Sequence, residues 1–141
     1  YLLERACSWL RFQRQATRGL QLTIRYGDYE SAQGRDTFRE PTDDERLLRA
    51  AAQERFARLY TRRLPLRFLG VELAPLIAAP PPLLLLDDAA EERRRRLLTA
   101  QDAVRQRFGF TALLPGTSLE LMKKLEHDRE NFRLRTPCLT R

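Results

Sequence analysis

The sequence predicts an α+β domain, an antiparallel sheet with two helices on one face, followed by a C-terminal helix and tail. Three observations carry this. The apolar period switches from 3.6 to 2 near residue 19. Pro41-Thr-Asp-Asp-Glu45 has a helix-capping spacing ahead of an amphipathic run. The elements then follow in the order helix, strand, strand, helix, strand.

Leu2, Leu3, Ala6, Cys7 and Leu10 recur at helical spacing opposite Arg5, Arg11 and Arg14. They predict an amphipathic helix to about Gln15, with Gly19 as its stop. Leu20, Leu22, Ile24 and Tyr26 alternate with Gln21, Thr23 and Arg25, the pattern of a half-buried strand. Gly27–Asp28 marks a turn, and a more polar strand follows over Ala32–Phe38. With Thr42 as cap, the next helix carries Leu48, Ala52, Phe56, Leu59 and Tyr60 on one face. Pro65 ends it, and Leu66–Leu73 reads as a strand. Pro75 and Pro80–Pro82 make a linker of the segment after it. Asp87 or Asp88 caps a third helix from Ala90 to about Phe108, stopped by Gly109. Thr111–Leu114 reads as extended, Leu119–Glu126 as a helical turn or two, and Asn131–Arg141 as a basic tail. Organisation follows as residues 1–74, 75–89 and 90–141. Trp9, Phe12, Phe56 and Phe68 are assigned to the core.

The chain has 141 residues, 43% hydrophobic and 32% charged, with a formal net charge of +7. That balance suits a polyanionic partner or a merely solvated, arginine-rich surface. Burying the apolar set of the first strand leaves Gln21, Thr23 and Arg25 on an open sheet face suited to tracking a phosphate backbone. A solvated strand face is the competing reading, as it is for the helical run Arg93–Arg96.

No catalytic set is legible. Asp43, Asp44, Asp87 and Asp88 stand at helix starts, where capping accounts for them. There is no Gly-rich phosphate cradle. His127 is the only histidine, and Cys7 and Cys138 have no partner at ligand spacing, so no metal site is expected. The longest apolar run, Leu83–Leu86, is too short to cross a bilayer, and the first segment, broken by Glu4 and Arg5, is not a signal peptide. Tyr1 reads as a fragment boundary and the cytosol as the compartment.

Leu20-Gln-Leu-Thr-Ile-Arg-Tyr-Gly-Asp-Tyr29, Gly34-Arg-Asp-Thr-Phe-Arg-Glu-Pro-Thr-Asp43 and Arg67-Phe-Leu-Gly-Val-Glu-Leu73 resemble, in order and spacing, the little finger (C-terminal) domain of bacterial Y-family, translesion DNA polymerases. The DNA polymerase IV group is the nearest. Pro82-Leu-Leu-Leu-Leu-Asp-Asp88 stands where members carry a sliding-clamp peptide, here without its glutamine (Pro82) and terminal aromatic (Leu86). The family's first strand precedes the first helix, so the resemblance implies a sheet lacking that strand. The family's basic position in the second strand is shifted or lost, since this stretch reads Gln33-Gly-Arg-Asp-Thr-Phe38.

The resemblance implies sequence-independent binding of double-stranded primer–template or damaged DNA. Arg25, Arg35 and Arg39 are its contact candidates, supported by Gln21, Thr23, Ser31 and Gln33. It implies a weak clamp contact through Leu83, Leu85 and Leu86, no cofactor in this chain, and Mg2+ with deoxynucleotides in a parent polymerase whose palm carboxylates are absent here. Such a protein would work in the bacterial cytoplasm on the nucleoid. Two alternatives remain: an RNA-binding α+β module, which would show stacking aromatics on the open face, and a protein-interaction adaptor working through the Pro–Leu segment.

Overall fold

The computed structural model describes residues 1–79 and 89–120, Glu91 by its backbone alone. The chain forms two compact units, one spanning Leu2–Pro80, the other Tyr1 with Pro81–Arg141.

In the first unit, helix α1 (Leu2–Phe12) turns Cys7 and Leu10 inward, with Glu4 beside them. It ends well before Gly19. Gln13 N and Arg14 N donate back to Trp9 O and Arg11 O at 3.0 and 3.1 Å. Arg14 takes the left-handed conformation, φ 52°, and redirects the chain. Strand β1 therefore starts early and spans Gln15–Tyr26.

The chain turns after Tyr26, where Tyr29 N donates to Tyr26 O at 3.0 Å and Asp28 Oδ1 accepts from Glu30 N at 3.3 Å. Strand β2 (Ser31–Thr42) runs back antiparallel, past the predicted end at Phe38. The pairing slips between Gly19↔Thr37 and Thr17↔Thr42, so β2 carries extra residues there. Pro41 lies in that slip, where a residue without an N–H breaks no ladder bond.

Helix α2 (Glu45–Leu59) is capped by Asp44, whose Oδ1 accepts from Arg46 N at 2.8 Å. This corrects the expectation of Thr42 as cap. Thr42 still closes β2, and its hydroxyl accepts from Asp44 N at 3.0 Å. Strand β3 (Leu66–Leu73) matches its predicted bounds.

The segment after β3 is not all linker. Leu76–Ala78 forms a short strand, β4, paired antiparallel with Gln15–Thr17. A cis Ala74–Pro75 peptide separates β3 from β4. The sheet thus has four strands in the order β2-β1-β3, and β4 continues the β3 edge along the start of β1. β4 explains why β1 begins five residues before its visible alternation: its opening residues are held by a partner some 60 positions away.

Both helices cover one face. Cys7, Leu20, Leu22, Leu48 and Ala52 form the core cluster, ringed by Leu3, Phe38, Phe56, Leu59, Val71 and Leu73. Trp9 is half-buried, but Phe12 is 63% exposed and Phe68 48%, so neither belongs to the core. Phe12 closes α1 just off its apolar stripe. Tyr26 anchors the far end: its hydroxyl donates to Leu59 O at 3.0 Å and accepts from Thr61 N at 3.2 Å.

In the second unit, α3 (Ala89–Phe108) ends where predicted. Gly109 follows at φ 91°, a conformation open only to glycine at low cost. A 3-10 turn at Phe110–Ala112 replaces the expected extended piece. Arg105 holds this corner, donating from Nε to Leu113 O at 3.0 Å with its guanidinium over the Phe110 ring. The chain is helical again from residue 116 to 120. The expected Asp87 or Asp88 cap, most of the predicted Leu119–Glu126 helix and the Asn131–Arg141 tail lie outside the described residues. Among the described residues no helix is long and apolar enough to cross a membrane.

Candidate nucleic-acid interface

Opposite residues of an antiparallel pair project from the same face. The β1–β2 register pairs Gln21 with Arg35, Thr23 with Gln33, and Arg25 with Ser31. Six of the seven residues singled out from the sequence are therefore three consecutive cross-strand pairs. Their face is the one opposite Leu20, Leu22 and Ile24, away from both helices. The seventh, Arg39, lies in the slipped stretch of β2 and is exposed, in step with Arg35 and Thr37. From Arg25 to Gln21 the strip runs four residues, roughly 14 Å at ~3.4 Å per residue. That equals the rise of about four base pairs along the axis of a duplex.

The arginines are held differently. Arg25 Nε donates to Ser31 Oγ at 3.1 Å, and its guanidinium carbon lies 5.7 Å from the centre of the Phe68 ring. It therefore bridges β2, β1 and β3 at the hairpin end. Arg35 spends one N–H on Ala74 O at 2.9 Å. A guanidinium has five N–H donors, so the rest remain for a ligand. Asp36, next in sequence, points to the helix side and is neutralised there by Arg55.

Strand β3 completes the face with residues that sequence reading did not select. It sets Glu72 opposite Gln21, Gly70 opposite Thr23 and Phe68 opposite Arg25. A Cβ built on Gly70 would lie 2.8 Å from two atoms of the Phe68 ring, so the ring rests on this glycine. The signal was present: Glu72 must face water, and period 2 back from it puts Gly70 and Phe68 on the same side. Glu72 is the one acid that β1 and β3 place on this face, and it lies at the Gln21–Arg35 end.

The clamp candidates Leu83, Leu85 and Leu86 lie outside the described residues. On α3, Arg93 is exposed and Arg96 pairs with Glu92 at 3.0 Å. Among the described residues no three His, Cys, Asp or Glu side chains gather where they could hold a metal ion.

The sheet thus carries helices on one face and a basic, polar strip on the other. Residues 1–83 match the model of the impB/mucB/samB family C-terminal domain. The chain belongs to that family, the C-terminal domain of Y-family DNA polymerases. No curated protein matches the chain.

Proposed function

We propose that this domain is the little finger of a translesion polymerase and binds primer–template DNA independently of sequence through phosphate contacts. The observation that supports it best is the strip of three cross-strand pairs carrying Arg25, Arg35, Gln21, Thr23, Ser31 and Gln33. Guanidiniums and short polar groups suit phosphate oxygens, which fix register and carry no base identity. Net charge +7 adds long-range attraction. We assign catalysis, with its magnesium ions and deoxynucleotides, to the palm of the parent polymerase in the bacterial cytoplasm. A weak sliding-clamp contact through residues 83–86 belongs to the same reading.

One observation favours the RNA-module alternative: Phe68 is an exposed aromatic on the open face, where that reading requires one. Family membership weighs against it.

Duplex binding measured across a salt series tests the proposal. Arg25→Ala and Arg35→Ala should each weaken binding equally on unrelated sequences and lower the log–log salt slope by about 0.9. Arg93→Ala on α3 is the control and should do less. Equal losses at Arg93 and Arg25, or an altered sequence preference, would move the interface off the sheet.

A further inference from the structure

Two aromatic rings stand in solvent at the hairpin end of the sheet, and each carries an arginine. Phe68 rests on Gly70 with the Arg25 guanidinium beside it. Tyr29, in the β1–β2 turn, is 64% exposed, and the Arg67 guanidinium carbon lies 4.8 Å from its ring centre. Arg67 is the extra residue where β3 slips against β1, between Leu66↔Tyr26 and Phe68↔Arg25, so the alternation of faces is broken there and the two pairs meet at one bulge.

Neither ring is accounted for by folding or by phosphate tracking. Phosphate oxygens offer an aromatic face nothing. Tyr29 takes φ 71°, a conformation that glycine or asparagine adopts freely and a bulky side chain rarely does. The turn therefore keeps an exposed ring against its own backbone preference, the kind of local strain that gathers at binding sites. Gly70, for its part, is the residue type that lets the Phe68 ring lie down on the strand.

We infer that Phe68 and Tyr29, with Arg25 and Arg67, form a stacking platform for unpaired nucleotides of the bound DNA. The inference rests on the DNA-binding reading of the sheet. Every base has a π face, and successive bases stack on aromatic side chains while arginines meet the intervening phosphates. A fully paired duplex hides those faces in its own stack. The domain thus favours DNA with a single-stranded template stretch or a displaced base over perfect duplex.

Binding of the chain to a paired duplex is compared with the same duplex carrying one unpaired 2-aminopurine. The unpaired DNA should bind about tenfold more tightly, with its fluorescence quenched. Phe68→Ala should remove most of that preference while weakening duplex binding far less than Arg25→Ala does, and Phe68→Trp should keep it. Tyr29→Gly is the sharper variant. It frees the turn of its unfavourable φ, so the thermal midpoint should not fall while the preference does. Equal losses on paired and unpaired DNA, no quenching, or tighter binding to an RNA strand of the same sequence would overturn the platform. If Arg25→Ala leaves duplex binding untouched, the duplex reading itself fails. If duplex binding needs Arg25 but Phe68 is dispensable, only the platform fails.

Discussion

Arg55 of α2 lies across Gly34 of β2 and grips Asp36 with two N–H donors, Nε to Oδ2 at 2.9 Å and a second to Oδ1. The same guanidinium donates to Arg35 O at 3.0 Å. One side chain thus fixes the helix layer to the strand whose other face carries Arg35. The Arg55 hydrogen bond holds the Asp36 carboxyl below its ordinary value of 3.8. A carboxylate with a depressed folded pKa stabilises the fold above its unfolded pKa and loses that stabilisation as pH falls through the folded one. Asp36→Asn should therefore lower the thermal midpoint at neutral pH by an amount that stays constant down to about pH 5. The gap to the wild type should close below pH 3.8. A gap that persists unchanged at pH 2 would show that the pair contributes nothing through its charge.

Gly19 should tolerate no side chain. A Cβ there would sit 2.5 Å from Ala74 O, the carbonyl that also receives Arg35. Ala74 N in turn donates to Gly19 O at 3.1 Å, so the backbone cannot step aside without breaking the β3–β4 junction. Gly19→Ala should cost about 1–3 kcal/mol in chemical denaturation, the range for forced overpacking. Gly27→Ala is the comparison. Its Cβ would meet Pro65 at ordinary contact distances of 3.5 and 3.6 Å, and the change should be near neutral. Equal costs at the two positions would dismiss the close-approach argument.

Cys7 is buried, and burial pushes its thiol up to about 12, with Arg11 drawing it only partly back. The thiolate is the reactive form, so Cys7 should resist iodoacetamide at pH 8 in native protein and react once denatured. Peptide-level mass spectrometry separates it from Cys138. Rapid native alkylation at Cys7 would mean that α1 detaches from the sheet.

Local patterns were legible wherever neighbours in sequence supply the constraint. Leu20 to Tyr26 announced a strand and its buried face, and Leu66–Leu73 and the end of α3 at Gly109 were read directly. What escaped was set by distant partners. Gln15–Thr17 and Leu76–Ala78 look like a helix end and a proline linker until they pair with each other. The Arg14 stop needed a left-handed residue that nothing in its side chain advertises. Phe68 was misassigned because apolar character was weighed above the period set by Glu72. The strip showed the same split: alternation put Gln21, Thr23 and Arg25 on one face, whereas their pairing with Arg35, Gln33 and Ser31 and the third strand's share needed the register.

The Pro–Leu segment should bind a sliding clamp weakly. It offers Leu83, Leu85 and Leu86 with neither a glutamine nor a terminal aromatic, and aromatic anchors dominate such interfaces. A peptide of residues 80–88 titrated against the matching clamp should give a Kd weaker than about 10 μM, or roughly −7 kcal/mol. Submicromolar binding would reject this.

Glu72 should oppose the DNA that the rest of its face attracts. It stands directly opposite Gln21, whose other cross-strand neighbour is Arg35, so one carboxylate shares the end of the strip with one guanidinium. Both are exposed, which keeps the effect modest because solvent and salt screen charges at the surface. Glu72→Gln keeps the shape and removes the charge. Duplex affinity at low salt should rise roughly threefold, in line with surface charge effects under about 1 kcal/mol. The gain should fade as salt rises, since the repulsion it removes is itself screened. It should also be independent of DNA sequence, because a phosphate looks the same everywhere. Thermal stability should stay close to the wild type. A substitution that weakens duplex binding, or strengthens it equally at all salt concentrations, would mean that Glu72 does not face the phosphate track and that DNA crosses the sheet elsewhere.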